Sequence, residues 1–285
     1  MENTGSIDID GFKLRYRIEG EGPDVLVLGS SIYYPRSFSQ KLRKSLRLHF
    51  VDYRGFAQPP ASGINETPSF ERLVNDIEHM RKQLSLDRCI VIGHSAHALL
   101  AIEYAKKYPK HVSHVAMIGI SPSLSPEHAK IAERNWDESV WPERKTALAE
   151  RMREFPDEEL SKLPTDQAFV KWNVRRAPQS WFDFRFDSSA LWQGVFPNMP
   201  ILDFFYGKAL RDIDISKGLK AFDRPVFLAL GRFDYIIAPV SCWDSLRPKF
   251  QNLTVKIFER SGHSPQYEEP ELFNAELLKW LEENG

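Results

Sequence analysis

Three stretches of this 285-residue chain carry side chains that could together turn a hydroxyl into a nucleophile. The first is Ile92-Gly93-His94-Ser95-Ala96-His97-Ala98, where an unbroken apolar run beginning at Cys89 passes directly into a helical pattern. A serine at such a corner sits on a sharp turn that needs small neighbours. Its hydroxyl is lifted clear of the sheet at a helix N-terminus, where backbone N–H groups face a developing anion. The second stretch, Leu230-Gly231-Arg232-Phe233-Asp234, puts a carboxylate just beyond another apolar run, and the third, Glu259-Arg260-Ser261-Gly262-His263-Ser264-Pro265, puts a histidine in the loop after the last one. A serine hydroxyl is a poor nucleophile at neutral pH. It needs a base within hydrogen-bond reach and a third group that holds the base in the right tautomer. A helix cap is the other reading of Ser95; His263 and Asp234 supply the other two roles. Asp223 and Asp244 stand as alternatives for the acid, although neither immediately follows an apolar run.

The elements that must position these residues follow from periodicity. Ser6 to Ile9, an Asp10-Gly11 turn and the alternation Phe12-Lys13-Leu14-Arg15-Tyr16 predict an opening hairpin. Asp24–Gly29, Leu48–Asp52, Cys89–Gly93, Val115–Gly119, Pro225–Gly231 and Leu253–Phe258 are runs suited to strands buried on both faces. Helical stretches lie between several of them: Ser69 to Leu84 carries Phe70, Leu73, Val74, Ile77 and Leu84 on one face, and another runs from Ala98 to Tyr108. The repetition implies an α/β fold, a doubly wound, mostly parallel sheet of about eight strands. The rhythm breaks from about Ser123 to Phe222, which holds five of the seven tryptophans, Trp136, Trp141, Trp172, Trp181 and Trp192. We read residues 1–122 and 223–285 as the core and 123–222 as a helical cap insertion. Its aromatic residues either pack it onto the sheet or line an apolar pocket.

With these motifs in place, the chain resembles the α/β-hydrolase family over essentially its whole length, and more narrowly its esterase-like and proline iminopeptidase-like members. The family's G-x-S-x-G is met at Gly93 and Ser95, while His97 stands where the last glycine belongs. A small residue there lets the helix approach the strand closely, so the departure bears on local packing. His97 is either a packed structural residue or one that tunes the pocket; the helix should carry it away from the hydroxyl. The resemblance implies Ser95 as nucleophile, His263 as base and Asp234 as orienting acid, in the family's chain order. It also implies two backbone donors for a tetrahedral oxyanion. Ala96 follows the nucleophile, and in the loop Leu28-Gly29-Ser30-Ser31-Ile32 the second donor is Ser30, with Ser31 as the next choice. Asp52-Tyr53-Arg54-Gly55-Phe56-Ala57 is similar to the family's Asp-x-Arg-Gly-x-Gly turn, whose role is structural.

A serine at the corner argues against the alkyl-enzyme route of the family's dehalogenases and epoxide hydrolases, which use a carboxylate. Acyl transfer to water remains, with a small-molecule carboxylic ester as the first substrate class. An aminopeptidase of the proline iminopeptidase kind, acting on an amide, is the alternative. Its Gly-Gly-x-Trp-Gly character is missing here, and Asp183, Asp187 and Asp203 are the insertion's candidates for holding a substrate amino group. A slow-turnover small-molecule receptor on the same fold is the third reading.

Composition narrows the partners. Lys plus Arg number 38 against 39 for Asp plus Glu, which gives no basic field for nucleic acid. No run approaches the ~18 apolar residues of a membrane helix, and the N-terminus lacks the pattern of a secretory signal. Cys89 and Cys242 lie far apart and outside any metal-ligand spacing, which suits a reducing cytoplasm and implies neither a metal nor an organic cofactor.

Overall fold

The computed structural model describes residues 3–64, 67–138 and 141–285. Its strands are β1 (Thr4–Ile9), β2 (Phe12–Glu19), β3 (Asp24–Gly29), β4 (Arg47–Asp52), β5 (Cys89–His94), β6 (Val112–Ile118), β7 (Val226–Gly231) and β8 (Leu253–Phe258). They form one sheet in the order β1-β2-β4-β3-β5-β6-β7-β8. The first two make the expected hairpin, with both Asp10 and Gly11 at positive φ as a two-residue turn requires. β2 pairs antiparallel with β4, and every pairing from β4 through β8 is parallel.

The apolar runs are explained by helices on both faces of the sheet. Leu26, Leu28 and Val91 point into one core, shared with α2 (Phe70–Gln83) and α3 (Ala96–Lys107). Val25, Val27, Ile90 and Ile92 point into the other, shared with α1 (Tyr33–Ser37) and α12 (Pro270–Glu283). Successive residues of one strand thus serve opposite cores, as a period of two demands. α2 starts at Ser69, whose hydroxyl accepts the Arg72 N–H at 3.1 Å. α3 starts at Ala96, two residues earlier than the periodicity suggests, because its early positions bury Ala96 and His97.

Between β6 and β7 run α4 (Pro126–Asp137), α5 (Pro142–Glu154), α6 (Asp157–Ser161), α7 (Thr165–Arg175), α8 (Ala177–Ser180), α9 (Ser189–Trp192) and α10 (Met199–Phe204), with no strand among the described residues. This segment is tied to the core by backbone polar groups that would otherwise be orphaned. Asn198 donates its N–H to Gly55 O (2.8 Å) and its side-chain amide to Ala57 O (3.1 Å), and Arg36 donates to Leu191 O (3.0 Å) and Gln193 O (2.6 Å). Arg144 is wholly buried and gathers the carbonyls of Pro178, Trp181 and Phe182, with the rings of Trp141, Phe184, Phe233 and Tyr235 around its guanidinium. It thereby fixes the 178–182 stretch, which reaches the histidine loop. No helix among the described residues is long and apolar enough to cross a membrane.

Candidate active site

Ser95 lies between the end of β5 and the start of α3 with φ of 57° and ψ of −137°, a conformation that costs a non-glycine residue about 1–3 kcal/mol. The surroundings enforce it. Ser95 donates its N–H to Ile118 O on β6 at 2.8 Å, and Gly93 lies so close to α3 that a Cβ there would come within 2.2 Å of His97 O. The Ala96 amide, at the first position of α3, is one of the donors a helix cannot satisfy internally.

Asp234 lies three residues beyond β7 and is buried. One carboxylate oxygen accepts the Ile236 N–H at 3.0 Å, and the other meets His263 Nδ1 at 2.7 Å. A carboxylate can only accept, so Nδ1 carries the proton and Nε2 keeps its lone pair. Burial by itself would lower the His263 pKa; the charge and hydrogen bond of Asp234, with Glu268 beyond, outweigh it and raise the value above the ordinary one. Asp223 and Asp244 lie elsewhere, beside Arg224 and Arg247. Ser95 and His263 border the same cavities. Among the described residues no hydrogen bond joins the serine hydroxyl to the ring; catalytic bonds of this kind often tighten only once substrate is in place.

The loop carrying His263 is gripped from several sides. Its own N–H donates to Ser180 O at 2.5 Å, and its carbonyl accepts from His94 Nε2 at 2.8 Å. Glu268 on α11 (Pro265–Glu268) accepts the N–H groups of Phe182 (2.6 Å), Gly262 (2.9 Å) and Ser264 (3.1 Å). Burial pushes its carboxyl up to about 7, against those amides and with help from the charge of Asp234. The fit leaves no room for side chains: a Cβ on Gly262 would fall 2.3 Å from Ser180 O, and one on Gly231 1.8 Å from Gly262 O.

On the other side of Ser95, Ser31 donates its N–H to Asp52 at 2.7 Å, so that amide is engaged. Ser30 borders the cavity, and its hydroxyl accepts from the amides of Ile32 and Tyr33 at 3.2 and 3.1 Å, serving the turn. Asp52 also receives Arg15 at 2.7 Å, and Arg54 pairs with Asp76 and Asp10, so the Asp52–Ala57 turn braces the loop that holds Ser30. His97 is buried with its Nδ1 2.9 Å from the Tyr34 hydroxyl, against the rings of Tyr53 and Phe205. Among the described residues its Nε2 finds no partner, and burial pulls its pKa down to about 4, so it is neutral at pH 7. The contribution of Glu268, Tyr34 and His94 escaped the sequence reading. The Glu-Glu-Pro stretch after His263 was the one local signal for Glu268.

Two spaces meet at Ser95 and His263. An inner pocket of about 90 Å³ is walled by Tyr33, Tyr34, Phe56, Trp181 and Trp192, and an outer cleft of about 650 Å³ by Ile120, Leu124, Phe169, Trp172, Leu202 and Ile237. Trp136 and Trp141 instead pack edge-on or tilted against Tyr235 and Phe233. Both roles foreseen for the insertion's aromatic residues are therefore filled, by different residues. Of the three candidate acids, Asp203 borders the cleft, whereas Asp183 and Asp187 accept from the nearby amides of Arg185 and Ser189.

The sequence model of the alpha/beta hydrolase fold matches residues 27–270. The chain belongs to the α/β-hydrolase family. This hydrolase is 40% identical over 283 residues to the AB hydrolase superfamily protein YclE of Bacillus subtilis, covering 99% of this chain and 100% of that one. It is 25% identical over 296 residues to the proline iminopeptidase PfmaB of Pestalotiopsis fici, covering 97% of this chain and 98% of the relative. It is also 25% identical over 272 residues to the pimeloyl-(acyl-carrier protein) methyl ester esterase of Vibrio vulnificus, covering 94% and 97%. The chain is an enzyme of the hydrolase class.

Proposed function

We propose that this hydrolase cleaves small-molecule carboxylic esters through an acyl-enzyme on Ser95. The observation that carries the reading is the 2.7 Å bond between Asp234 and His263 Nδ1, which leaves Nε2 as a base in the cavity that Ser95 also borders. Ser95 Oγ attacks the carbonyl carbon as its proton passes to His263 Nε2, and the negative oxygen is held by the amides of Ala96 and Ser30. Collapse breaks the bond to the alcohol, which leaves with the proton from His263. Water then gives a proton to His263 and attacks the acyl carbon, and collapse releases the carboxylic acid and returns the proton to Ser95. Residues 123–222 act as a cap over a core of 1–122 and 223–285, and the aromatic residues of the cap shape both spaces.

The aminopeptidase reading draws on Asp203 at the cleft and on the relative named a proline iminopeptidase. The test is labelling with a fluorophosphonate probe, followed by mapping of the modified residue and by steady-state assays on short acyl esters beside a proline amide. Modification at Ser95 that disappears in His263→Ala, with repeated turnover of esters, is the expected result. Turnover of the amide alone would favour the peptidase, and a single burst without recycling would favour a receptor. Labelling at any other residue would overturn the mechanism.

A further inference from the structure

The outer cleft is apolar over most of its wall, yet one cation in it makes no ion pair within 4.0 Å among the described residues. Arg176, at the junction of α7 and α8, is half-buried and borders the same cleft as Ser95 and His263. Its guanidinium lies over the Trp172 ring at 4.4 Å, and its Nε donates to Gln179 at 2.7 Å. Among the described residues no carboxylate lies within 4.0 Å of it, Glu133 acting only from farther away, and neither terminal nitrogen has a protein acceptor. A partly desolvated charge whose donors lack acceptors is costly, and a bound anion would offset that cost. Arg211 adds a second cation to the same wall, and Asp203, the one carboxylate there, is an exposed residue that pairs with neither arginine within 4.0 Å.

We propose that Arg176 receives an anionic group, carboxylate or phosphate, at the far end of an apolar chain lying in the outer cleft. The preferred substrates are thus esters with a negative charge remote from the scissile carbonyl. This rests on the esterase reading above and narrows its substrate class. The geometry suits the assignment: the planar fork of arginine presents two donors to a carboxylate or phosphate. Stacking on Trp172 holds the guanidinium in place, so less freedom is lost on binding. A chain of CH₂ groups across Phe169, Leu124 and Ile237 bridges the distance to Ser95 while burying apolar surface. A cation at this position disfavours a substrate with a free amino terminus, which separates the proposal from the aminopeptidase alternative.

The test uses the full chain with monomethyl esters of linear dicarboxylic acids, methyl alkanoates of matched length, ω-phosphono methyl esters and ω-amino methyl esters. The wild type should favour the anionic over the neutral ester by about ten- to a hundredfold in kcat/KM at low salt, mainly through KM, since a charge remote from the reacting atoms binds ground and transition states alike. The carboxylate and phosphonate series distinguish the two anion sources. In Arg176→Gln the ratio should fall toward one; Arg176→Lys should keep part of it, and Arg176→Glu should shift preference toward the ω-amino ester. A wild-type ratio near one, or a preference that survives Arg176→Gln and disappears in Arg211→Gln, would overturn the assignment while leaving the esterase reading intact. Failure of the wild type to hydrolyse any of these esters would instead overturn the esterase reading.

Discussion

Glu268→Gln perturbs the histidine loop without touching Ser95, Asp234 or His263. The carboxylate accepts the amides of Phe182, Gly262 and Ser264 and so links the segment between β6 and β7 to both neighbours of His263. Burial raises its pKa from the ordinary 4.5 to about 7. Between those values the folded chain binds more protons than the unfolded one, so the stability this group contributes is complete below about 4.5 and is lost as pH rises through about 7. Linkage across that window gives about 2 kcal/mol between about pH 5.5 and about pH 8.5, and solvent screening at the half-buried carboxylate reduces this to about 1 kcal/mol. Glutamine cannot titrate, and it turns an NH₂ toward one of the amides, a misfit of about 1–3 kcal/mol that is the same at both pH values and cancels in the comparison. The variant should therefore be destabilised more at the lower pH, by about 1 kcal/mol. Urea unfolding followed by tryptophan fluorescence, on both proteins at both pH values, measures the difference. An equal penalty at the two pH values, or a larger one on the alkaline side, would refute the reasoning.

Asp234→Asn should lower kcat by about 10³–10⁴-fold with little change in Tm, because the amide can hold the wrong imidazole tautomer; steady-state kinetics and calorimetry read the two effects separately. Gly262→Ala drives a Cβ toward Ser180 O, 2.3 Å away, and should cost about 1–3 kcal/mol in stability and about 100-fold in kcat as His263 shifts. An alanine variant with wild-type kcat would show that the loop has slack. His97, held near 4 by burial, is neutral when folded and protonates near 6.5 when unfolded, so the stability it contributes is present above about 6.5 and is lost as pH falls through 4. His97→Leu should therefore gain about 1–2 kcal/mol on the wild type between pH 7 and about pH 5 in urea titrations, and a flat difference would contradict the buried neutral imidazole.

Local pattern in the sequence was enough to determine the sheet, because a strand buried on both faces must be apolar throughout and a crossover helix must be apolar on one side. It also marked Ser95, Asp234 and His263 as candidates, since each stands where a strand ends and its neighbours are constrained in kind: glycines where backbones touch, a helix start behind the serine. Only the tertiary structure decided which side chains meet across long separations. Glu268 looks like any surface acid until the segment between β6 and β7 delivers the Phe182 amide to it. His94 and His97 are three residues apart on the chain, yet one grips the carbonyl of residue 263 and the other sits beside the Tyr34 hydroxyl. Trp172 and Trp136 share a segment and a residue type, but one borders the cleft and the other packs against Tyr235. Periodicity records whether a position is buried; it carries no information about what a buried group faces, and that depends on how the helices between β6 and β7 settle over the sheet.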